Sequence, residues 1–257
     1  MFTIDKERLR KRKDEIISFL HEHEYSDYTI EDFLECINSE TENINCALYQ
    51  LYSKFGVVPK EADIYIYFRN LLNKYKFLQT NCCEIAAGKY PRLAEIVYPE
   101  LRRNNKTLTI YEPDLVIDSL EDVIVKKELF TKNSDLKGID TLFGTFTCEA
   151  TIDVVEKALI ENRNLLISLC ECDHSTEKYP FLSQQYFTKK INDMIAQRGS
   201  ISVLDIPNVY WYDCFQDQLK KEYGDRISIL NWPEIYGFEY PIILSVTEEH
   251  KRKHLKL

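Results

Sequence analysis

Glycine and long apolar runs are both scarce in this chain of 257 residues. Its 7 glycines leave little flexible linker, and no apolar run approaches the roughly 20 residues that a transmembrane helix needs. The chain also lacks a basic-then-apolar start, since charged residues dominate from Asp5 onward. We therefore expect a cytoplasmic protein with no membrane partner, whose 8 cysteines are thiols in a reducing compartment.

Positive charge is likewise in deficit, because the formal net charge is −9 at pH 7. Tight binding to a phosphate backbone depends on lysine and arginine, so no DNA partner is expected. Two short segments are basic, residues 6–13 and residues 250–254. Each is typical of a solvated helix face or tail. At this length, a core can form without disulfides or metals.

The first 78 residues have the periodicity of helices. Apolar residues recur at helical spacing around Leu9, Ile16 and Leu20, and another such stripe begins at Ile64. Gly56 ends the helix between these two stripes, because glycine and a following proline stop helices. The pattern predicts a helical N-terminal region over residues 1–78. Its first helix is expected over residues 6–23 and its last over residues 61–78.

After residue 80, short apolar runs alternate with helical stretches. The runs cover residues 82–86, 107–111, 123–125, 140–146 and 164–169. This alternation predicts βαβ crossovers and a mostly parallel sheet. Two final runs, 226–232 and 240–247, are too close for a parallel crossover and are expected to pair antiparallel. Residues 79–257 are therefore predicted to form a Rossmann-like α/β domain with a mostly parallel seven-stranded sheet and a C-terminal antiparallel hairpin.

One turn in this domain has residues suited to a ligand. The segment CEIAAGKYP, residues 83–91, joins the first strand to the first helix, and Gly88 permits a sharp turn with a close approach to the backbone. The following helix offers unpaired N–H groups to a polar ligand. Glu112 and Asp114 then end the second strand, where a carboxylate can hold a pair of ribose hydroxyls. An ordinary strand-to-helix glycine and a helix-capping carboxylate are the structural alternatives.

These residues resemble the class I S-adenosylmethionine-dependent methyltransferases. The motif of that family is an acidic residue followed by glycines at alternate positions. Glu84 matches the acid and Gly88 the middle glycine, whereas Ala86 and Tyr90 replace the first and third. The resemblance implies that Glu84, Ala86 and Gly88 border S-adenosylmethionine, which serves as the methyl donor.

The same resemblance assigns roles at the ends of three further strands. Glu112 takes the place of the family's ribose-binding acid by spacing, with Asp114 in reserve. Thr147 follows the fourth strand and is expected to border the donor. Glu149 and His174 are candidate catalytic bases, needed where the acceptor loses a proton as it attacks. The acceptor stays open between a small molecule, a protein and an RNA.

Cysteines cluster near the predicted site. Cys148, Cys170, Cys172 and His174 follow strands four and five, and residues 147–174 resemble a tRNA ribose methyltransferase family with Cys/His-rich segments. Cys-x-Cys-x-His has only part of a zinc-site pattern, so no metal is expected. Buried, inert thiols are the favoured interpretation, and a nucleophilic cysteine paired with His174 is the alternative.

Two other classes of function remain open. The replaced glycines, together with a strand-four segment that lacks an Asn/Asp-Pro-Pro-aromatic motif, suit a catalytically inactive Rossmann-like binding or scaffold protein. A nicotinamide-dependent oxidoreductase is disfavoured, because its pyrophosphate loop needs closely spaced glycines. The sequence therefore predicts an S-adenosylmethionine-binding methyltransferase of unknown acceptor.

Overall fold

The fold is seen in a computed structural model that describes residues 4–38, 46–116, 121–147, 150–169, 184–200, 216–236 and 241–255. The helices are α1 (Lys6–Lys11), α2 (Lys13–Glu22), α3 (Asp27–Asn38), α4 (Cys46–Lys54), α5 (Ile64–Lys74), α6 (Arg92–Arg103), α7 (Thr151–Ile160), α8 (Gln184–Arg198) and α9 (Gln216–Tyr223). The strands are β1 (Cys82–Ile85), β2 (Leu108–Tyr111), β3 (Ile124–Lys126), β4 (Thr141–Thr145), β5 (Asn164–Ser168), β6 (Ser228–Leu230) and β7 (Ile242–Ser245). Within these ranges, no helix is both long and apolar enough to cross a bilayer.

Two of the N-terminal helices are shorter than the sequence pattern predicts. The helix expected over residues 6–23 is divided at Arg12, whose φ of −97° and ψ of 4° leave the helical region. The helix expected over residues 61–78 is reduced to α5. Its start is fixed by Asp63, whose carboxylate accepts a hydrogen bond of 2.9 Å from the Tyr65 N–H. Its end is fixed near Lys76, which adopts a left-handed φ of 58°.

The sheet has the strand order β3-β2-β1-β4-β5-β7-β6. β7 is antiparallel to both β5 and β6, while β1 to β5 pair in parallel. Every residue of β1, β2, β4, β5 and β7 is buried, as expected when helices cover both faces of a parallel sheet. The prediction of a mostly parallel seven-stranded sheet with a C-terminal antiparallel pair is confirmed. The chain has a Rossmann-like α/β fold.

Alternate residues of the strands supply two separate cores. Cys82 and Leu166 point to the face that also buries Leu9 and Phe68 of the N-terminal helices. Cys83, Ile167 and their neighbours on the other face pack with α7 and Leu219 of α9. The N-terminal helices thus contribute to one continuous core with one face of the sheet. The division of the chain at residue 78 stays a prediction.

Gly144 provides a test of how closely β1 and β4 approach. A Cβ at this position would lie 2.5 Å from the Ile85 carbonyl oxygen and 2.6 Å from Cγ2 of Thr147. The Ile85 oxygen belongs to a neighbouring strand and cannot retreat alone, so we expect Gly144→Ala to destabilise the fold by roughly 2–3 kcal/mol in urea unfolding. Ser228→Ala, at an exposed position of β6, is the control, because it removes a side-chain atom without crowding a neighbour. Equal destabilisation by both variants would contradict this account.

Candidate functional site

The turn after β1, called here the β1 loop and comprising residues 86–91, has an unusual backbone. Ala86 and Gly88 both adopt positive φ, 54° and 73°. Glycine takes this conformation without strain, whereas alanine does not. Ala86 still donates from its N–H to the Tyr111 carbonyl at 3.0 Å, which extends the pairing of β1 and β2 by one residue. The chain therefore turns sharply at the carboxyl end of the central strand.

Glu112, at the end of β2, binds this loop directly. Its Oε2 accepts the Gly88 N–H at 2.8 Å, and its Oε1 accepts the Asp114 N–H at 3.1 Å. Its own N–H donates to the Lys126 carbonyl at 3.1 Å, which holds the residue in line with β3. The structure thus brings two residues singled out from the sequence, Gly88 and Glu112, into contact.

The Glu112 carboxylate is held in one orientation but still has unused hydrogen-bond acceptor positions. It is 8% exposed, and this burial raises its pKa, while the two backbone N–H groups act in the opposite direction. A carboxylate offers about four lone-pair sites, of which these bonds use two. Each oxygen therefore keeps a position at which it can accept a further hydrogen bond.

Gln50 of α4 lies against Gly88, which the sequence analysis did not foresee. Its Nε2 donates to the Ala87 carbonyl at 2.8 Å. A Cβ on Gly88 would lie 2.4 Å from Nε2 and 2.7 Å from Oε1 of this side chain. Gln50 thus fills space beside the loop that we expected a ligand to use. The sequence signal was a single polar residue within the apolar run LYQLY, residues 48–52.

A network of polar contacts holds α4 in this position. Ser53 donates from Oγ to Oδ2 of Asp63 at 2.6 Å and accepts from Nε of Arg92 at 2.8 Å. Lys54 donates from Nζ to the hydroxyl of Tyr90 at 2.6 Å. Tyr90, which replaces a glycine of the family motif, therefore anchors the N-terminal region to the β1 loop. The position of Gln50 is determined by several contacts and not by its own hydrogen bond alone.

Glu84 lies in β1 behind the loop and is only 2% exposed. Burial raises its pKa to about 8, a hydrogen bond from the Ala94 N–H lowers it, and the nearby charge of Glu112 raises it. Its Oε2 is buried and has no hydrogen-bond partner. The acidic residue of the motif is therefore mostly protonated at neutral pH.

Asp114 and Thr147 have contrasting surroundings. Asp114 is exposed and takes part in the site through its backbone N–H. Thr147 is 1% exposed, and its Oγ1 lies 2.8 Å from Oγ1 of Thr151 in the first turn of α7. Its hydroxyl is thus engaged within the protein. The ligand-binding roles of both residues stay predictions.

The candidate bases and the cysteine cluster fall elsewhere in the chain. Glu149, His174, Cys148, Cys170 and Cys172 lie outside the described residues, so their roles also stay predictions. In the part of the chain that the structure covers, no three His, Cys, Asp or Glu side chains are placed to hold a metal ion.

Comparison with known proteins gives only a distant match. No family model matches the chain, and no curated protein matches it. Solved structures do match, among them the SAH-bound methyltransferase PaMTH1 from Podospora anserina, which is 14% identical with a TM-score of 0.41. The match covers 87% of this chain and 97% of that one. At this low identity and TM-score, the match says nothing about the activity of this chain.

Proposed function

We propose that the protein is a methyltransferase that binds S-adenosylmethionine between the β1 loop and Glu112. The hydrogen bond of 2.8 Å from the Gly88 N–H to Glu112 carries this proposal. It joins a turning backbone to an oriented carboxylate at the carboxyl ends of two adjacent parallel strands. Open α/β sheets bind nucleoside ligands at this edge.

Each residue of the site has a part in this proposal. The free lone pairs of Glu112 accept hydrogen bonds from the ribose hydroxyls, and Asp114 is the reserve carboxylate at the same end of β2. Ala86 and Gly88 present backbone to the methionine moiety. Glu84, protonated and buried beneath the loop, keeps the loop in place. Thr147, buried with its hydroxyl turned to Thr151, supports the end of β4 that faces the donor.

For methyl transfer, the main task of the protein is to hold the methyl donor and the acceptor in the right orientation. The acceptor atom attacks the methyl carbon in line, the carbon–sulfur bond breaks, and the donor leaves as a neutral thioether. Holding the reactants in line supplies most of the acceleration. Where the acceptor carries a proton, a base must take it, and Glu149 and His174 are proposed for this role. The acceptor itself is a small molecule, a protein or an RNA.

Removal of Gln50 is expected to strengthen ligand binding. A ligand beside Gly88 must displace the Gln50 amide and break its bond to the Ala87 carbonyl, at a cost of about 1 kcal/mol plus lost packing. Gln50→Ala should therefore raise the affinity for S-adenosylhomocysteine about tenfold in a calorimetric titration of the full chain. Gln79→Ala, at the opposite end of β1, is the matched control. Unchanged affinity in Gln50→Ala would mean that the ligand does not use this space.

The same contact favours a second candidate, a Rossmann-like binding or scaffold protein without catalysis. Gln50 would then be a permanent part of the core and the nucleoside crevice would be lost. Titration of S-adenosylmethionine and S-adenosylhomocysteine into the wild type and Gln50→Ala separates the two candidates. Saturable one-to-one binding supports the methyltransferase. A folded protein that binds neither compound in either form supports the scaffold.

A further inference from the structure

A polar cavity of about 120 Å³ opens at the edge of the sheet opposite the proposed crevice. It lies at the amino ends of β1, β4 and β5 and is bordered by the segment after β7. Its lining includes Thr80, Asn164, Lys106, Arg163, Lys253 and His254. Thr80 and Asn164 are buried and both bind Oγ1 of Thr141, so the floor is held by hydrogen bonds within the protein.

Three cations from separate parts of the chain meet at this cavity. Lys106 follows α6, Arg163 precedes β5, and Lys253 lies near the end of the described chain. Neither lysine ammonium makes a hydrogen bond or an ion pair with any residue that the structure describes. Nε of Arg163 is buried without an acceptor, and its Nη2 lies 3.8 Å from Oε2 of Glu161. The cavity therefore presents cationic donors whose hydrogen-bonding capacity is unused.

The remaining charged groups of the lining do not cancel these cations. Asp140 and Glu249 are the two carboxylates, and Oδ2 of Asp140 already accepts the Asn81 N–H at 3.1 Å. With both histidines neutral, three cations face two carboxylates. Burial is the main cause that lowers the pKa of His254, the nearby His250, Lys253 and Lys106 lower it further, and Asp140 acts in the opposite direction. The lining thus carries one more cation than carboxylate, although the whole chain carries a net charge of −9.

We propose that this cavity binds a phosphate group. An oxyanion supplies the acceptors that the Lys106 and Lys253 ammonium groups lack, through charge-assisted hydrogen bonds, and the Arg163 guanidinium adds positive charge beside it. A cavity of about 120 Å³ that is open to solvent has room for a tetrahedral oxyanion. The group is either a free phosphate ion or the phosphate of a mononucleotide.

The test is a calorimetric titration of inorganic phosphate into the full chain. We expect saturable one-to-one binding, weakened at least tenfold in the Lys106→Gln/Lys253→Gln double variant, which removes two charge-assisted bonds. Arg102→Gln is the matched control, because it removes an exposed cation at the same end of α6 that does not line the cavity. Absence of saturable binding to the wild type, or an equal effect of the control and the double variant, overturns the proposal.

A second set of titrations distinguishes the sources of the group. Adenosine 5′-monophosphate that competes with phosphate and binds more tightly assigns the site to a nucleotide, whereas weaker binding assigns it to the free ion. Adenosine without phosphate is expected not to compete, and competition by adenosine would contradict recognition of the phosphate. S-adenosylmethionine carries no phosphate, so failure of this site and failure of the proposed methyltransferase are separate outcomes.

Discussion

Replacing Glu84 with glutamine is expected to remove roughly 4 kcal/mol of pH dependence from the stability of the fold between pH 4.5 and pH 8. Burial raises the pKa of this carboxyl from 4.5 to about 8 in the folded protein. The unfolded chain therefore releases the proton at lower pH than the folded chain does. Above pH 4.5 ionisation favours the unfolded state, and the wild type loses stability until the pH passes about 8. Glutamine cannot ionise and does not suffer this loss.

Urea unfolding at half-unit steps from pH 5 to pH 8.5 measures this difference. The free energy of unfolding of the wild type should fall relative to that of Glu84→Gln as the pH rises, and the difference should begin to level off once the pH passes about 8. Glu31→Gln, at an exposed position of α3, is the control and should follow the wild type. Curves for wild type and Glu84→Gln that stay parallel throughout would show that Glu84 is ionised in the folded protein at neutral pH.

Glu112→Ala is expected to lower the affinity for S-adenosylhomocysteine about a hundredfold. Two hydrogen bonds from the ribose hydroxyls to a carboxylate are lost, each equivalent to about a tenfold change. The variant also deprives the Gly88 and Asp114 N–H groups of their acceptor. Glu112→Gln keeps the shape of the side chain and one acceptor oxygen, so it should retain an intermediate affinity. Calorimetric titration of each folded variant gives the three affinities.

Asp114→Ala is the matched control for this series. It removes an exposed carboxylate two residues away and leaves the backbone N–H that binds Glu112 in place. We expect its affinity to stay within about threefold of the wild type, less than one hydrogen bond is worth. A large loss of affinity in Asp114→Ala with no loss in Glu112→Ala would mean that Asp114 binds the ribose. Equal affinities in all variants would mean that the ribose does not bind at the end of β2.

The mostly parallel sheet with its antiparallel C-terminal pair followed from the sequence, because it depends on local features. The runs at residues 226–232 and 240–247 are joined by a short connection, and chain length alone excludes a parallel crossover between them. The closeness of the Gly88 turn to Glu112 was likewise accessible, although their direct hydrogen bond was not, since adjacent parallel strands end at the same edge of the sheet. Both predictions needed only the periodicity of the chain and the geometry of βαβ units.

The position of Gln50 could not be predicted in the same way. Helical periodicity shows which face of α4 is buried, but not which element covers it. The contact joins residues 38 positions apart, and it depends on Ser53, Lys54 and their partners beyond the helix. The pKa of Glu84 was equally inaccessible, because it results from burial and from the Ala94 N–H at the start of α6. Both features arise from tertiary packing, which cannot be predicted from the residue pattern of a single sequence.

A crystal structure of Gln50→Ala with S-adenosylhomocysteine tests the proposed site most directly. The account predicts ribose hydroxyls within hydrogen-bonding distance of the Glu112 oxygens, with the β1 loop against the amino-acid part of the ligand and the 2.8 Å contact to Gly88 retained. A ligand bound away from Glu112, or a site that stays empty at millimolar concentrations in a well-folded crystal, would contradict it.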